Sequence, residues 1–174
     1  VHVRKTWDMT KVRNLKDWMN DPAFVDVVVG RAFVILGVKN VEMSSDEWKW
    51  RARVVYQGSE MWSKSGRHIL EIFKDVSSSP ASILAARCAL AVSLLKNWTA
   101  TYRDAVDAYL QVLMETDPNI IDIVEPPKEW WPDEWYHDSN RCQAKYIRPA
   151  VPLELALNGH PKAGNLWDGH TDRT

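Results

Sequence analysis

The chain has 174 residues and carries 22 Lys and Arg residues against 23 Asp and Glu residues, which gives a formal net charge of −1. This balance excludes the overall positive excess of a dedicated nucleic-acid-binding domain, so any contact with nucleic acid has to be local. The length fits a single domain, and 45% apolar with 26% charged residues is typical of a globular fold. The ten tryptophans indicate either a dense aromatic core or an interface.

No stretch approaches the roughly 20 consecutive apolar residues of a membrane span, and no signal-peptide pattern stands at the start, so we expect no membrane span. The two cysteines, Cys88 and Cys142, are too few for a disulfide framework and indicate free, buried thiols in an intracellular protein. Because the first residue is Val rather than Met, we expect a piece of a longer reading frame or a processed product.

The first elements are a helical lead-in and a β-rich stretch. Thr10 can cap a short amphipathic helix over residues 10–21, and we assign residues 1–30 to this lead-in. Strands are predicted over residues 24–29, 32–38 and 49–57, with Gly30 between the first two. Residues 44–47 are a turn signal, so the last two strands are predicted to form a hairpin.

The clearest helix covers residues 80–95, where Ser79 can cap the helix and Pro80 suits its first turn. Apolar residues fill almost every position, so this helix is expected to be buried on most sides. A strand is then predicted over residues 99–103, and a helical or tight turn over residues 105–114. A second strand follows over residues 120–124, an aromatic loop over residues 130–136 and a closing segment over residues 152–167. This order of elements indicates an α+β fold, with one layer of helices on a sheet.

Asp104 is the first candidate for chemistry, because an acid at a strand end is often a metal or substrate ligand. As a single carboxylate it could also be a solvated residue or a helix cap. The hexapeptide from Asp104 to Tyr109 (DAVDAY) resembles motif A of reverse transcriptases. In that motif a metal-binding Asp is followed five residues later by an aromatic side chain that screens the sugar of the incoming nucleotide.

Four further segments, in the same order and at fitting intervals, resemble the copia-type family of retrotransposon reverse transcriptases. They are residues 49–58 (KWRARVVYQG), similar to a Lys-Ala-Arg-Leu-Val-x-x-Gly strand, residues 73–76 (FKDV) with the long helix after them, residues 123–130 (IVEPPKEW), and residues 155–167 (LALNGHPKAGNLW), similar to motif B. Together the segments cover roughly residues 31–170, and their collinearity is more specific than any single match.

The resemblance implies the fingers and part of the palm of a right-hand polymerase, with an antiparallel sheet and helices packed on it. Residues 31–174 would be a truncated reverse-transcriptase domain. The implied activity is RNA-directed DNA synthesis from dNTPs on an RNA or DNA template-primer, with Mg²⁺ as cofactor.

Motif A would supply the catalytic and metal-binding part of the implied site. Asp104, together with the backbone carbonyl of Ala105, would hold Mg²⁺, a hard cation that prefers oxygen ligands. Tyr109 would crowd a 2′-hydroxyl group, which distinguishes ribonucleotides from deoxyribonucleotides.

Two other segments would complete the implied nucleotide-binding set. Arg51 and Arg53 alternate along the fingers strand and would neutralise the triphosphate, since guanidinium groups match phosphate oxygens. Gly159 and Lys162 of the motif B segment would lie under the templating base pair.

The departures from the family pattern bear on activity. Asn158 stands where the family usually has Tyr, Lys162 where Gln is common, and Gly164 where many members have Pro. The family completes its two-metal site with a Tyr-x-Asp-Asp hairpin, and these 174 residues contain no Asp-Asp pair. Because metal ions must clamp both the attacking and the leaving oxygen, we expect the chain alone to be inactive as a polymerase.

Other residue types carry weaker signals. His137, Cys142, His160 and His170 match no zinc-ligand spacing, so surface or core roles are expected. The serines at residues 77–79 lack a Gly-x-Ser-x-Gly context and are interpreted as a cap and turn.

Trp130, Trp131 and Trp135 could stack nucleic-acid bases, cover the core as a lid or anchor an interface. The interface role supports a second hypothesis, a non-catalytic structural or interaction subunit that binds protein partners in a larger assembly. A third, a plain RNA- or DNA-binding module, is disfavoured because phosphate-driven affinity needs several clustered cations.

Overall fold

The computed structural model describes residues 6–66, 82–101, 105–114 and 117–173. In these residues the chain is a mixed α+β fold with three helices and a six-stranded mixed sheet, which confirms the predicted α+β class. The helices are α1 (Leu15–Asn20), α2 (Ile83–Leu95) and α3 (Ala163–Thr171). The strands are β1 (Arg13–Asn14), β2 (Asp26–Lys39), β3 (Lys49–Tyr56), β4 (Trp62–Ser63), β5 (Ile120–Glu125) and β6 (Pro149–Pro152).

The sheet has the order β1-β6-β5-β2-β3, and β4 pairs with β2. The predicted hairpin is confirmed, because β2 and β3 pair antiparallel, with Ala32 opposite Tyr56. In contrast, β2 and β5 run parallel, with Asp26 opposite Ile120. The sheet is therefore mixed rather than antiparallel throughout. The long stretch between β2 and β5 leaves room for the crossover connection that parallel pairing requires.

β2 is one continuous strand of 14 residues, where the sequence predicted two strands separated at Gly30. Gly30 is needed for packing rather than for a break, because a Cβ atom at this position would collide with the ring of Tyr56. The Tyr56 ring is buried, and its hydroxyl donates a hydrogen bond of 3.1 Å to the carbonyl oxygen of Ile123 on β5. This contact joins the end of β3 to the centre of the sheet.

Hydrophobic clusters cover both faces of the central strands. The alternation of side chains along β2 places Val28 on one face and its neighbours Val27 and Val29 on the other. The larger cluster contains Val28, Tyr56, Met61, Met114, Val124, Trp135, Tyr136, Val151, Leu153 and Leu157. The smaller cluster packs α1 against the opposite face, through Leu15, Trp18, Val27, Val29, Ile123 and Ala150.

The helix predicted over residues 10–21 is divided in the structure. Met9–Lys11 forms a 3₁₀ turn, and the Asp8 side chain caps it by accepting the backbone N–H of Thr10. Thr10 is therefore not the cap. β1 follows and pairs with β6, and α1 begins only after it. The helix cannot extend through β1 because that backbone hydrogen-bonds to a neighbouring strand.

α2 forms within the predicted range, and Ser82 caps it by accepting a backbone N–H at 3.1 Å. The predicted cap Ser79 and the first-turn Pro80 lie outside the described residues. The expectation of burial is wrong within the described part of the chain, since none of the 13 helix residues is buried. Leu94 and Leu95 are 82% and 85% exposed. Because apolar residues surround the axis, the sequence defines no single apolar stripe that would pack on the sheet.

Both cysteines are free thiols, as predicted, but their predicted burial is wrong. Cys88 is exposed because it lies on α2, whose described surroundings leave the helix uncovered. Cys142 is exposed in a surface loop, where its backbone N–H donates a 3.0 Å hydrogen bond to the Asp138 carboxylate.

The remaining elements agree in part with the sequence. β5 confirms the strand predicted over residues 120–124 and extends it by one residue. Residues 99–101 have no regular structure, and the other two residues of that predicted strand are outside the described residues. The aromatic loop contains two 3₁₀ turns, Lys128–Trp130 and Asp133–Trp135. Among the described residues no helix has the length and apolarity to cross a membrane.

Candidate functional site

Arg51 and Arg53 lie on β3, opposite Gly37 and Ile35 of β2, and both are exposed. Two residues apart on one strand, they project from the same face, as the sequence predicts. No ion pair formed within the described ranges includes either guanidinium group. Together with Lys39, the two arginines line a shallow depression of about 210 Å³. This half of the hairpin therefore presents a local cationic surface on a chain with almost no net charge.

The two arginines also line a deeper pocket of about 380 Å³ together with residues from distant segments. Its described lining is Thr6, Trp7, Arg51, Ala52, Arg53, Val54, Asp107, Leu110, Leu157 and Asn158. The pocket brings together parts of the strand, motif A and motif B segments of the sequence. It can offer guanidinium donors to an anion and apolar atoms to the rest of a ligand.

The motif A segment is described from Ala105 onward, and Asp104 lies outside the described residues. Asp107 adopts a left-handed backbone, with φ of 52°, and the 3₁₀ turn Ala108–Gln111 follows it. Ala105 is exposed, whereas Tyr109 is half-buried. Tyr109 packs against a third hydrophobic cluster, which consists of Val112, Ala156 and Ala163. Leu110, rather than Tyr109, lines the pocket.

The turn of residues 158–162 contains Gly159 and Lys162 and lies against the end of β3. The backbone N–H of Tyr56 donates to the carbonyl of Asn158 at 2.7 Å. Gly159 has a φ of 86°, and a Cβ atom there would collide with the carbonyl oxygen of Tyr56. Glycine is therefore required here both for its backbone conformation and for this close approach.

A buried carboxylate, Asp122 on β5, lies beneath this turn. It is 0% exposed, and its Oδ2 lies 3.1 Å from Nζ of Lys162. Its Oδ1 lies 3.4 Å from Nε2 of His160, which is also buried. The His160 ring stands 4.9 Å from the ring of Tyr56. Two side chains of the turn, His160 and Lys162, therefore lie close to the same buried carboxylate.

These contacts decide the ionisation of the buried groups. Burial alone would raise the pKa of Asp122, but the His160 and Lys162 side chains together outweigh burial and hold this pKa below its ordinary value. Burial, with the charge of Asp122, raises the pKa of the Tyr56 hydroxyl well above its ordinary value. Asp122 is therefore a carboxylate and Tyr56 a neutral hydrogen-bond donor at neutral pH.

The tautomer of His160 follows from its neighbours. Its Nδ1 accepts a hydrogen bond from the backbone N–H of Lys162 at 3.2 Å, so this nitrogen carries no proton. The ring proton must then be on Nε2, the nitrogen nearer to Asp122. His160 therefore presents an N–H group to the carboxylate.

The three tryptophans of the aromatic loop make intramolecular contacts. Trp135 is 3% exposed and belongs to the larger core cluster. Trp130 stacks on Trp7 with ring centroids 5.9 Å apart, and Trp131 donates from Nε1 to the carbonyl of Pro126 at 3.1 Å. These contacts cover the core, as the lid interpretation expects.

The described residues do not assemble a site for Mg²⁺. No group of three His, Cys, Asp or Glu side chains that could hold a metal ion occurs in the part of the chain that the structure describes. Asp104, the one carboxylate to which the resemblance assigns a metal, is outside that part.

Asp122 is the site residue that the sequence reasoning missed. Its signal is an acid at the centre of the apolar stretch IIDIV, in a strand whose other central residues are buried. An acid in such a position is costly unless it is paired, so its presence predicts a buried basic partner.

Comparison with models of known protein families, with curated proteins and with solved structures finds no match.

Proposed function

We propose that this chain is a fingers and partial-palm domain derived from a copia-type reverse transcriptase, with a pocket that binds the phosphates of a dNTP. The observation that carries the proposal is the common pocket of Arg51, Arg53, Asp107, Leu110 and Asn158. These residues come from three segments far apart in the sequence, and each segment resembles a part of the polymerase that handles the incoming nucleotide.

The chemistry of the pocket fits an anionic ligand. Arg51 and Arg53 each offer a planar set of N–H donors that matches phosphate oxygens, and both are exposed beside the pocket. Val54, Leu110 and Leu157 provide an apolar wall, and Asp107 is the one acidic residue in the described lining, against two arginines. The pocket therefore combines charge for phosphates with apolar contact for a sugar or base.

Catalysis by these 174 residues alone is not expected. Two-metal phosphoryl transfer needs several carboxylates, and the chain contains no Asp-Asp pair to join Asp104. Primer extension with Mg²⁺, dNTPs and an RNA template should therefore be undetectable. Extension that is lost in the variant D104N would overturn this part of the proposal.

The binding part is tested by titrating a fluorescently labelled dNTP into the wild type and the variant R51A/R53A. Loss of two guanidinium contacts should weaken binding by about tenfold or more. The variant R87A/R141A is the matched control, since it removes two exposed arginines outside the pocket. Equal affinities of all three proteins, or no binding by the wild type, would refute the proposal.

The second candidate is a non-catalytic interaction subunit, with exposed apolar side chains rather than the three loop tryptophans as interface residues. Exposed apolar surface favours it, since Trp50 is 78% exposed and Leu84 and Leu95 of α2 are 71% and 85% exposed. Under this proposal the protein self-associates or binds a protein partner through these side chains. Sedimentation over a range of concentrations measures self-association, and the variant L84E/L95E should remove it.

A further inference from the structure

Asp122 is buried and contacts two side chains of the turn of residues 158–162, the Lys162 ammonium as an ion pair and the His160 ring as a neutral N–H group. Nζ of Lys162 lies 3.1 Å from one carboxylate oxygen, and Nε2 of His160 lies 3.4 Å from the other. Lys162 is a quarter exposed at its side chain, whereas Asp122 and His160 are completely buried there. The core therefore holds the underside of the turn by charge and not only by apolar packing.

The same turn contributes to the pocket through the residues just before its two basic side chains. Leu157 and Asn158 line the pocket with Arg51 and Arg53. The carbonyl of Leu157 accepts the backbone N–H of His160 at 3.0 Å. The His160 backbone is therefore hydrogen-bonded directly to a residue of the pocket wall.

We propose that Asp122 is a positioning residue, which anchors His160 and Lys162 and so fixes the turn that forms one wall of the arginine-lined pocket. The anchoring is a property of the free protein, whereas its effect on a dNTP rests on the proposed function. Lys162 acts here as part of the anchor, through Asp122, rather than as a contact to the ligand.

The anchor is tested first without any ligand, by amide hydrogen exchange. The backbone N–H groups of His160 and Ala163 close the turn, donating to the carbonyls of Leu157 and His160 at 3.0 Å each. In the variants D122N and K162M these two amides should exchange at least about tenfold faster, relative to amides in the β2–β3 hairpin. The variant D133N, which neutralises a 76% exposed carboxylate, should leave the ratio unchanged.

If the exchange rates of the turn amides and the hairpin amides increased equally, the anchoring role of Asp122 would be refuted, because such a result indicates only general destabilisation. Should D122N fail to fold, K162M decides the question. Its substituted side chain is partly exposed, and unchanged exchange at His160 and Ala163 in this variant would refute the proposal.

The effect on the pocket is tested by titrating labelled dNTP into the wild type, D122N, K162M and D122N/K162M. Each single variant should bind about tenfold more weakly, and the double variant no more weakly than D122N, because both substitutions remove one ion pair. Losses that multiply would show independent roles and would refute positioning through Lys162. If the wild type does not bind dNTP, the proposed function fails, while the exchange experiment still decides on the anchor.

Discussion

Gly30 and Tyr56 form a contact in which the absence of a side chain is essential. The Tyr56 ring occupies the space of the missing Cβ, is 1% exposed and holds its hydroxyl 3.1 Å from the Ile123 carbonyl. The variant G30A must displace this ring, so it should lower the free energy of unfolding by about 2–4 kcal/mol, through overpacking and a lost hydrogen bond. Urea denaturation of the two proteins measures the difference.

Gly37 on the same strand provides the control for this prediction. No atom lies within 4 Å of a Cβ built there. The variant G37A should therefore be neutral or more stable by up to about 1 kcal/mol, since Ala is less flexible than Gly in the unfolded chain. Similar effects of G30A and G37A would contradict the packing role of Gly30.

Asp122 makes stability depend on pH in a direction that its contacts determine. Its pKa in the folded protein is lowered, since His160 and Lys162 outweigh the effect of burial. A lowered pKa means that the contribution to stability is complete above the ordinary Asp value of about 3.9 and is lost as pH falls through the folded value. The contribution is thus present at neutral pH and disappears in acid.

The variant D122N should accordingly lose about 3 kcal/mol of stability near pH 7, because the Lys162 ammonium loses its buried partner. As pH falls below the ordinary Asp value of about 3.9, the difference between wild type and variant should narrow, since the unfolded wild type then binds a proton that folded Asp122 does not. The lowered pKa values of Asp8 and Asp21 affect both proteins equally and cancel in the comparison. A difference that stays constant between these pH values would contradict the ionic role.

At the scale of elements, β5 and α2 are both apolar in sequence, but the centre of β5 is buried whereas α2 is exposed. Val124 on β5 is 0% exposed, whereas Val92 on α2 is 46% exposed. The variant V124A should lose about 2 kcal/mol, the transfer energy of the removed methyl groups plus a small cavity. The matched variant V92A should change stability by less than about 0.5 kcal/mol. Denaturation midpoints measure both, and an equal loss in V92A would show that α2 is packed.

The same contrast explains what the sequence could predict about the elements. β3 and β5 are predicted nearly to the residue, because β-branched residues and clear turn signals define strands locally. The burial of α2 could not be predicted, since an all-apolar helix indicates no direction in which to pack. Likewise, only the position of the Tyr56 ring distinguishes Gly30 as a packing residue from Gly30 as a strand break.

In the candidate site, too, some features could be predicted from the sequence and others could not. The shared face of Arg51 and Arg53 follows from the two-residue period of a strand and could be predicted. The partners of Asp122 could not be predicted, since His160 and Lys162 are about 40 residues away in the sequence and come close to it only in the folded chain, where β5 pairs with β6 and the turn packs against β3. A buried acid in a strand predicts that a basic partner exists but not which one.

At the scale of the whole molecule, a net charge of −1 coexists with a local cationic surface of Arg51, Arg53 and Lys39. Long-range attraction of a polyanion depends on the overall charge, whereas binding of one triphosphate depends on the local groups. We therefore expect the proposed pocket to bind a small anion more readily than the molecule binds a long nucleic acid. This distinction can be measured as a salt dependence.

Binding of labelled single-stranded RNA should respond only weakly to salt. Three local cations correspond to a slope of log K against log salt concentration of about −2, since each phosphate contact contributes about −0.7 for single strands. A dedicated binding surface with six contacts would give about −4. Titrations at several salt concentrations measure the slope, which should become shallower in R51A/R53A. A slope of −4 or steeper would mean that the chain is an RNA-binding module whose cations lie beyond this surface.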